Sequence, residues 1–261
     1  MTLKCRSPLS VGLQGSQMAR KTSADKTSRK AKRKAPARTV PLKRPSAVRT
    51  ATRDDSHHPV VVPLSRLRPT QGAVGMRAVA ARREKIERVA GKTKKIAAFL
   101  ETRPIPAVAG PGGALFIIDR HHLTLALMQS RVSGALVEVI DDLSSHSMPR
   151  FWRTMIETGR AHPFNEYGQP IALHLMPQSV AALAHDPFRD LAWSARELGA
   201  FTKDMGPFAE FQWAAFFRAH ISERFVLQNY DLAVDVALRL ARTADARHLP
   251  GYRARPRAMA A

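Results

Sequence analysis

The stretch 114-ALFIIDRHHLTLAL-127 places an acid, an arginine and two adjacent histidines between an apolar run and an amphipathic one. Such a handover reads as a strand running into a helix, with Asp119 as the helix N-cap accepting the amides of His121 or His122. A helix start also gathers free amides at the positive end of the dipole, which makes it an anion site. Arg120, His121 and His122 in a first turn repel that dipole unless an anion offsets them, and a phosphate group suits the role. Neighbouring helical residues point about 100° apart. One histidine therefore touches a ligand or moves a proton while the other packs inward; either alone also reads as structural.

A second cluster lies upstream. Arg68, Thr70, Gln71, Gly72 and Gly75 combine a phosphate-pairing guanidinium, two neutral hydrogen-bonding side chains and two glycines. The glycines allow close backbone approach to a ligand or positive φ. An ordinary turn after a strand accounts for the same residues. The run 92-KTKK is a third anion candidate at a helix start but reads first as a solvated charged face; 185-HDPFRDLAWSAR reads as a cap at Asp186 with Pro187 in first helical position and Arg189, Asp190 and Arg196 beyond, with site contact the lesser alternative. Trp152, Trp193 and Trp213 fall at helical spacing and read as core. No HExxH or Cys/His metal spacing occurs, and Asp119 with Asp141 and Asp142 makes only a thin carboxylate set for a divalent ion.

The elements that must position these residues follow from periodicity. The run 59-PVVVPLSRL predicts a strand with a turn at Pro69. Residues 79–100 predict helix, interrupted at Gly91. Residues 105–119 predict a hairpin around Gly110–Gly113, followed by a helix over 120–130 with Leu123, Ala126 and Leu127 inward, then a strand at 135-ALVEVI. From Ser147 the texture is helical, with expected segments at 149-PRFWRTMIETG, 178-QSVAALAHD, 187-PFRDLAWSARELG, 207-PFAEFQWAAFFRAHI and 229-NYDLAVDVALRLART. The fold class is α+β: a domain over 56–146 and a helical accessory region over 147–246, flanked by a disordered basic tail at 1–55 and a basic flexible tail at 247–261.

The net charge is +21, and 15 of the 42 Lys and Arg fall within residues 1–55. Such an arm can hold nucleic acid by releasing counterions from phosphates, without reading sequence; it also serves as a mere solubilising tail. No 18-residue apolar run is present; residues 1–17 lack the apolar core of a secretory signal, so none is expected, and Met18 is an alternative start to Met1. Cys5 is the only cysteine, so no disulfide framework exists and a reducing cytoplasm fits.

The order 67-LRPTQGAVG, helices, a hairpin and 118-IDRHHLTLAL resembles the ParB-like putative nuclease family of the ParB/sulfiredoxin superfamily. The resemblance continues through 151-FWRTMIETG, 163-PFNEYGQPI, 185-HDPFRDLAWSAR and 207-PFAEFQWAAFFR, covering about residues 60–225. It implies a ParB/sulfiredoxin-like domain whose site lies at the same strand-to-helix junction. Partition proteins carry Gly-Glu-Arg-Arg there, sulfiredoxins Gly-Cys-His-Arg, and free-serine kinases Asp-Gly-His-His-Arg. Asp119–His122 stand closest to the histidine-bearing versions. The cysteine of sulfiredoxin is missing, Arg120 stands where the kinases have glycine, and Leu123 replaces their last arginine. The resemblance thus implies a phosphate-bearing ligand, a nucleotide or nucleic acid, and a nuclease or nucleoside-triphosphate hydrolase. In that reading Asp119, His121 and His122 are catalytic, while Arg120, Arg68, Thr70, Gln71, Gly72 and Gly75 bind phosphate. The cofactor is unknown, with a nucleoside triphosphate and Mg²⁺ the first to test. The alternative is a non-catalytic DNA-binding protein that uses its basic tail.

Overall fold

Short β-branched and apolar runs build the sheet, and longer amphipathic runs cover it. In a computed structural model, residues 58–90, 92–203 and 208–254 are described. Expectations for 1–55, Gly91, Pro207 and 255–261 lie outside the described residues. Strands β1 (Val60–Pro63), β2 (Leu67–Pro69), β4 (Ile105–Ala109), β5 (Leu115–Ile117) and β6 (Gly134–Asp142) form one sheet in the order β1-β6-β4-β5-β2. β4 and β5 are the expected hairpin, antiparallel with Ala107 opposite Ile117 and Ala109 opposite Leu115. β5 and β2 run parallel, with Pro69 beside Ile117. That pairing brings the ends of both strands, and hence both sequence clusters, to the same side of the sheet.

Helices α1 (Met76–Ala90), α2 (Thr93–Glu101) and α3 (His121–Gln129) belong with this sheet. Ile86 of α1, Ile96 of α2 and Leu127 of α3 join one core with Leu67, Ile105 and Ile117. Besides Leu123, Ala126 and Leu127, α3 also buries His121, Thr124 and Leu125. It packs against α1 as well as lying over the core, so the single inward stripe read from its sequence is too narrow.

Beyond β6 the chain is helical: α4 (Met148–Glu157), α5 (Pro187–Glu197), α6 (Ala209–His220), α7 (Glu223–Gln228) and α8 (Tyr230–Leu240). Phe151, Trp152 and Met155 of α4 pack with Val108 and Phe116 beneath the hairpin. Trp213 and Phe217 of α6 centre the core of α5–α8. Both Trp152 and Trp213 are buried. Trp213 Nε1 donates to Pro250 O at 2.8 Å and Leu249 is buried, so packing continues past the point where the sequence suggested a flexible tail.

One expected helix is not there. Residues 178–186 hold a single 3-10 turn at Val180–Ala182 and then strand β7 (Ala184–His185). β7 pairs in parallel with β3 (Ala73–Val74), a two-residue strand inside the second sequence cluster. Ser179 accepts from the Ala181 amide and holds the turn short; the ladder to β3 then takes over the backbone groups a helix would have used. No helix among the described residues is long and apolar enough to cross a membrane.

Candidate functional site

The first turn of α3 carries no side-chain cap. Asp119 does not accept from His121 or His122; its Oδ1 takes the amide of Arg120 at 2.6 Å. Arg120 occupies the cap position in the left-handed region (φ 61°, ψ 26°). That conformation turns the chain so that the Asp119 carboxylate cannot lie over the amides of the first turn. A β-carbon in this region costs on the order of 1 kcal/mol. Replacing Arg120 with glycine should therefore leave the fold as stable or more stable. Replacing it with valine should destabilise by about 1–2 kcal/mol, read by chemical denaturation.

The two histidines point apart and each ties α3 to the loop after β2. His121 Nε2 accepts the amide of Thr70 at 3.1 Å, and His122 Nε2 accepts the amide of Gly75 at 3.2 Å. An Nε2 that accepts from a backbone N–H leaves the proton on Nδ1, so both rings are neutral in this arrangement. Burial, then the nearby Arg189, hold His121 down to about 3. Burial first, followed by Arg189, Arg82, His121 and Arg196, pushes His122 well below its ordinary range.

Thr70 Oγ1 donates to Ile117 O at 2.8 Å, and Gln71 Nε2 to Ala73 O at 3.0 Å. Thr70, Gln71, Gly72 and Gly75 are all buried. Both glycines permit close approach, but of protein rather than ligand, and neither has positive φ. A β-carbon on Gly72 would collide with Ile171 and the Phe164 carbonyl; one on Gly75 would sit 2.6 Å from Asp190 Oδ1. The carbonyls of this loop receive amides from the accessory region: Thr70 O from His162, Gly72 O from Ala184, Val74 O from Asp186. Arg68 stands half-buried on β2, opposite Phe116. Lys92, Lys94 and Lys95 are exposed at the start of α2, away from these contacts.

The ladder between β3 and β7 delivers α5 to the junction. Asp186 caps α5 as expected, accepting the amides of Phe188 and Arg189, and its other oxygen takes Arg218 at 2.6 Å. Asp190 accepts the Arg77 amide at 2.7 Å at the start of α1 and meets His185 Nε2 at 2.8 Å. That hydrogen bond raises His185. Arg189 is almost wholly buried, its guanidinium 3.5 Å from the centre of the Phe211 ring. Burial lowers it to about 10, so it remains a cation near neutrality. His162 packs on the same Phe211 ring at 4.0 Å and is lowered to about 4 by burial and then Arg189. Arg196 pairs with Glu210 and Glu197, and Glu210 also lies 3.7 Å from Arg189. Arg82 of α1 is lowered by burial and then by Arg196.

The junction thus holds three arginines that motif reading assigned to capping or overlooked, Arg82, Arg189 and Arg196, along with His162. One signal was available for Arg189: an arginine in a first helical turn opposes the dipole just as Arg120 does. Asp141 pairs with Arg160, and Asp142 accepts from Ser144, so neither turns toward Asp119. Among the described residues, no three His, Cys, Asp or Glu side chains gather as a metal-binding group.

Residues 60–219 match the family model described as "Putative ParB-like nuclease". Among solved structures, protein Atu1540 from Agrobacterium tumefaciens is similar over 76% of this chain and 98% of its own, with 33% sequence identity and a TM-score of 0.67. Comparison with curated proteins gives no match.

Proposed function

Since the chain belongs to the putative ParB-like nuclease family, we propose that its strand-to-helix junction binds a phosphate-bearing ligand, a nucleotide or nucleic acid. The observation that carries this reading is the uncapped start of α3 set among arginines. The amides of a first helical turn need acceptors, and cations around them need an anion. Arg120, in the turn into α3, and Arg68, on the strand before the loop, are the two cations assigned to the phosphate in this reading. Thr70, Gln71, Gly72 and Gly75 shape the loop that faces it, with Thr70 and Gly75 holding the histidines in place. His121 and His122 serve as neutral rings with Nδ1–H available, which suits a hydrogen bond to phosphate better than proton release. Asp119, exposed beside Arg120, is the group left to act as base or to meet a divalent ion in phosphodiester or nucleoside-triphosphate hydrolysis.

The test is a thermal and calorimetric titration of the full chain against ATP, ADP, CTP and GTP, with and without Mg²⁺, and against a short single-stranded DNA. Arg120→Gly runs alongside, because it removes the charge while keeping the backbone turn. A ligand at a hundredfold excess over its Kd should stabilise the wild type by about 3 kcal/mol, and the variant by clearly less. Equal responses from both proteins, or none from either, would defeat the reading.

A further inference from the structure

Arg189 is a buried cation with unused donors. Its side chain is 5% exposed. Its Nη2 faces Glu210, but Nε and Nη1 meet no acceptor among the described residues. A guanidinium out of water with unmet N–H groups is costly, and proteins normally supply a counter-group. The neighbouring carboxylates are already engaged. Asp186 takes two amides and Arg218; Asp190 takes the Arg77 amide and His185. Glu210 is shared with Arg196.

The position of Arg189 is fixed by a closed circuit of contacts around the start of α3. His121 accepts from Thr70, and Thr70 O accepts from His162. His162 packs on Phe211, and Phe211 lies under Arg189. The Arg189–Asp190 backbone abuts Gly75, whose amide returns to His122. Arg189 and the uncapped α3 start are thus tied together by one run of contacts, contributed by two regions of the chain.

We propose that Arg189 supplies the innermost donors of this junction and grips a terminal phosphate, the monoester end of a nucleotide or of a nucleic-acid strand, and not an internal phosphodiester. This rests on the phosphate-binding reading of the junction. The physical reason is access. A strand continuing on both sides of its phosphate cannot bring it to a side chain so deeply buried, whereas an end group can enter alone. A monoester also offers three non-bridging oxygens and nearly two charges near neutral pH, matching the Nε–H and Nη1–H donors together with the first-turn amides.

The experiment measures affinity of the full chain for paired probes: AMP against adenosine, and 5′-phosphorylated against 5′-hydroxyl dT tetranucleotide. High ionic strength screens attraction between strand backbone and the basic N-terminal segment. The phosphorylated member should bind at least about tenfold tighter, inorganic phosphate should compete, and Arg189→Lys should erase most of the difference. Preference for the tetranucleotide pair or for AMP identifies the source of the phosphate. In parallel, the Arg189 side-chain ¹⁵N resonance of the wild type should shift on phosphate addition, which keeps the inference testable if the variant folds poorly. Equal binding of both members of each pair, with Arg120→Gly weakening both, would overturn the terminal-phosphate inference and leave the junction reading standing. Failure of every probe to bind would overturn both.

Discussion

Replacing Gly75 with alanine should lower the unfolding free energy by about 2–4 kcal/mol, among the largest effects of any single methyl addition in the molecule. The added β-carbon would lie 2.6 Å from Asp190 Oδ1 and 2.9 Å from Asp190 N. Neither atom can retreat cheaply. The carboxylate is held by the Arg77 amide and His185, and the nitrogen belongs to the first turn of α5. Relief requires α5 to move away from the β2–α1 loop, which also pulls on the amide that His122 accepts. Urea denaturation of wild type and Gly75→Ala measures the loss directly. A change below 0.5 kcal/mol, the ordinary scatter of surface substitutions, would mean that α5 does not press on the loop as described.

The protein should also lose stability steeply on mild acidification. His121 is held down to about 3 and His162 to about 4, while His122 is lowered in the same direction. In the unfolded chain each titrates near 6.5. Between that value and the folded one, the unfolded state binds the extra proton. The stabilisation is complete above pH 6.5 and drains away as pH falls toward 4. Each such histidine contributes a slope approaching 1.4 kcal/mol per pH unit. His185 works in the opposite sense: Asp190 raises it, so its contribution is full below pH 6.5 and fades as pH rises through the raised value. It is largely exposed to solvent and offsets only a small part. Denaturation midpoints at pH 7, 6 and 5 should therefore fall progressively. His121→Gln, which keeps an acceptor for the Thr70 amide without titrating, should flatten the curve. A wild-type curve flat from pH 7 to 5 would show that these rings are not held neutral by the fold.

Much of this architecture was legible in the chain. The hairpin around Gly110–Gly113 announced itself by apolar runs flanking a Gly-Pro-Gly-Gly break, and β4 and β5 pair there. Asp186-Pro187 marked the start of α5 by cap chemistry alone. The two clusters at Arg68–Gly75 and Asp119–His122 stood out because glycines, histidines and arginines accumulated at element ends. Their adjacency, expected from resemblance, has a local physical basis in the parallel pairing of β2 with β5.

Other features lay beyond sequence pattern. Residues 178–186 have helical spacing, yet β7 forms there because the edge strand β3 offers it a ladder. Asp119 looks like an N-cap, but Arg120 in the left-handed region turns the carboxylate away from the first turn. Whether a histidine is a proton carrier or a neutral tie depends on which amide its Nε2 meets, and those amides belong to residues about fifty positions away. Local propensity, periodicity and charge are properties of neighbouring residues, so the chain alone determined its α+β class, its basic N-terminal segment and its histidine- and arginine-bearing motifs at element ends. Burial and long-range pairing arise only once the elements pack, so tertiary structure alone decided that Arg189 sits beside the junction, that Gly72 and Gly75 are spaces for protein, and that both histidines are held neutral.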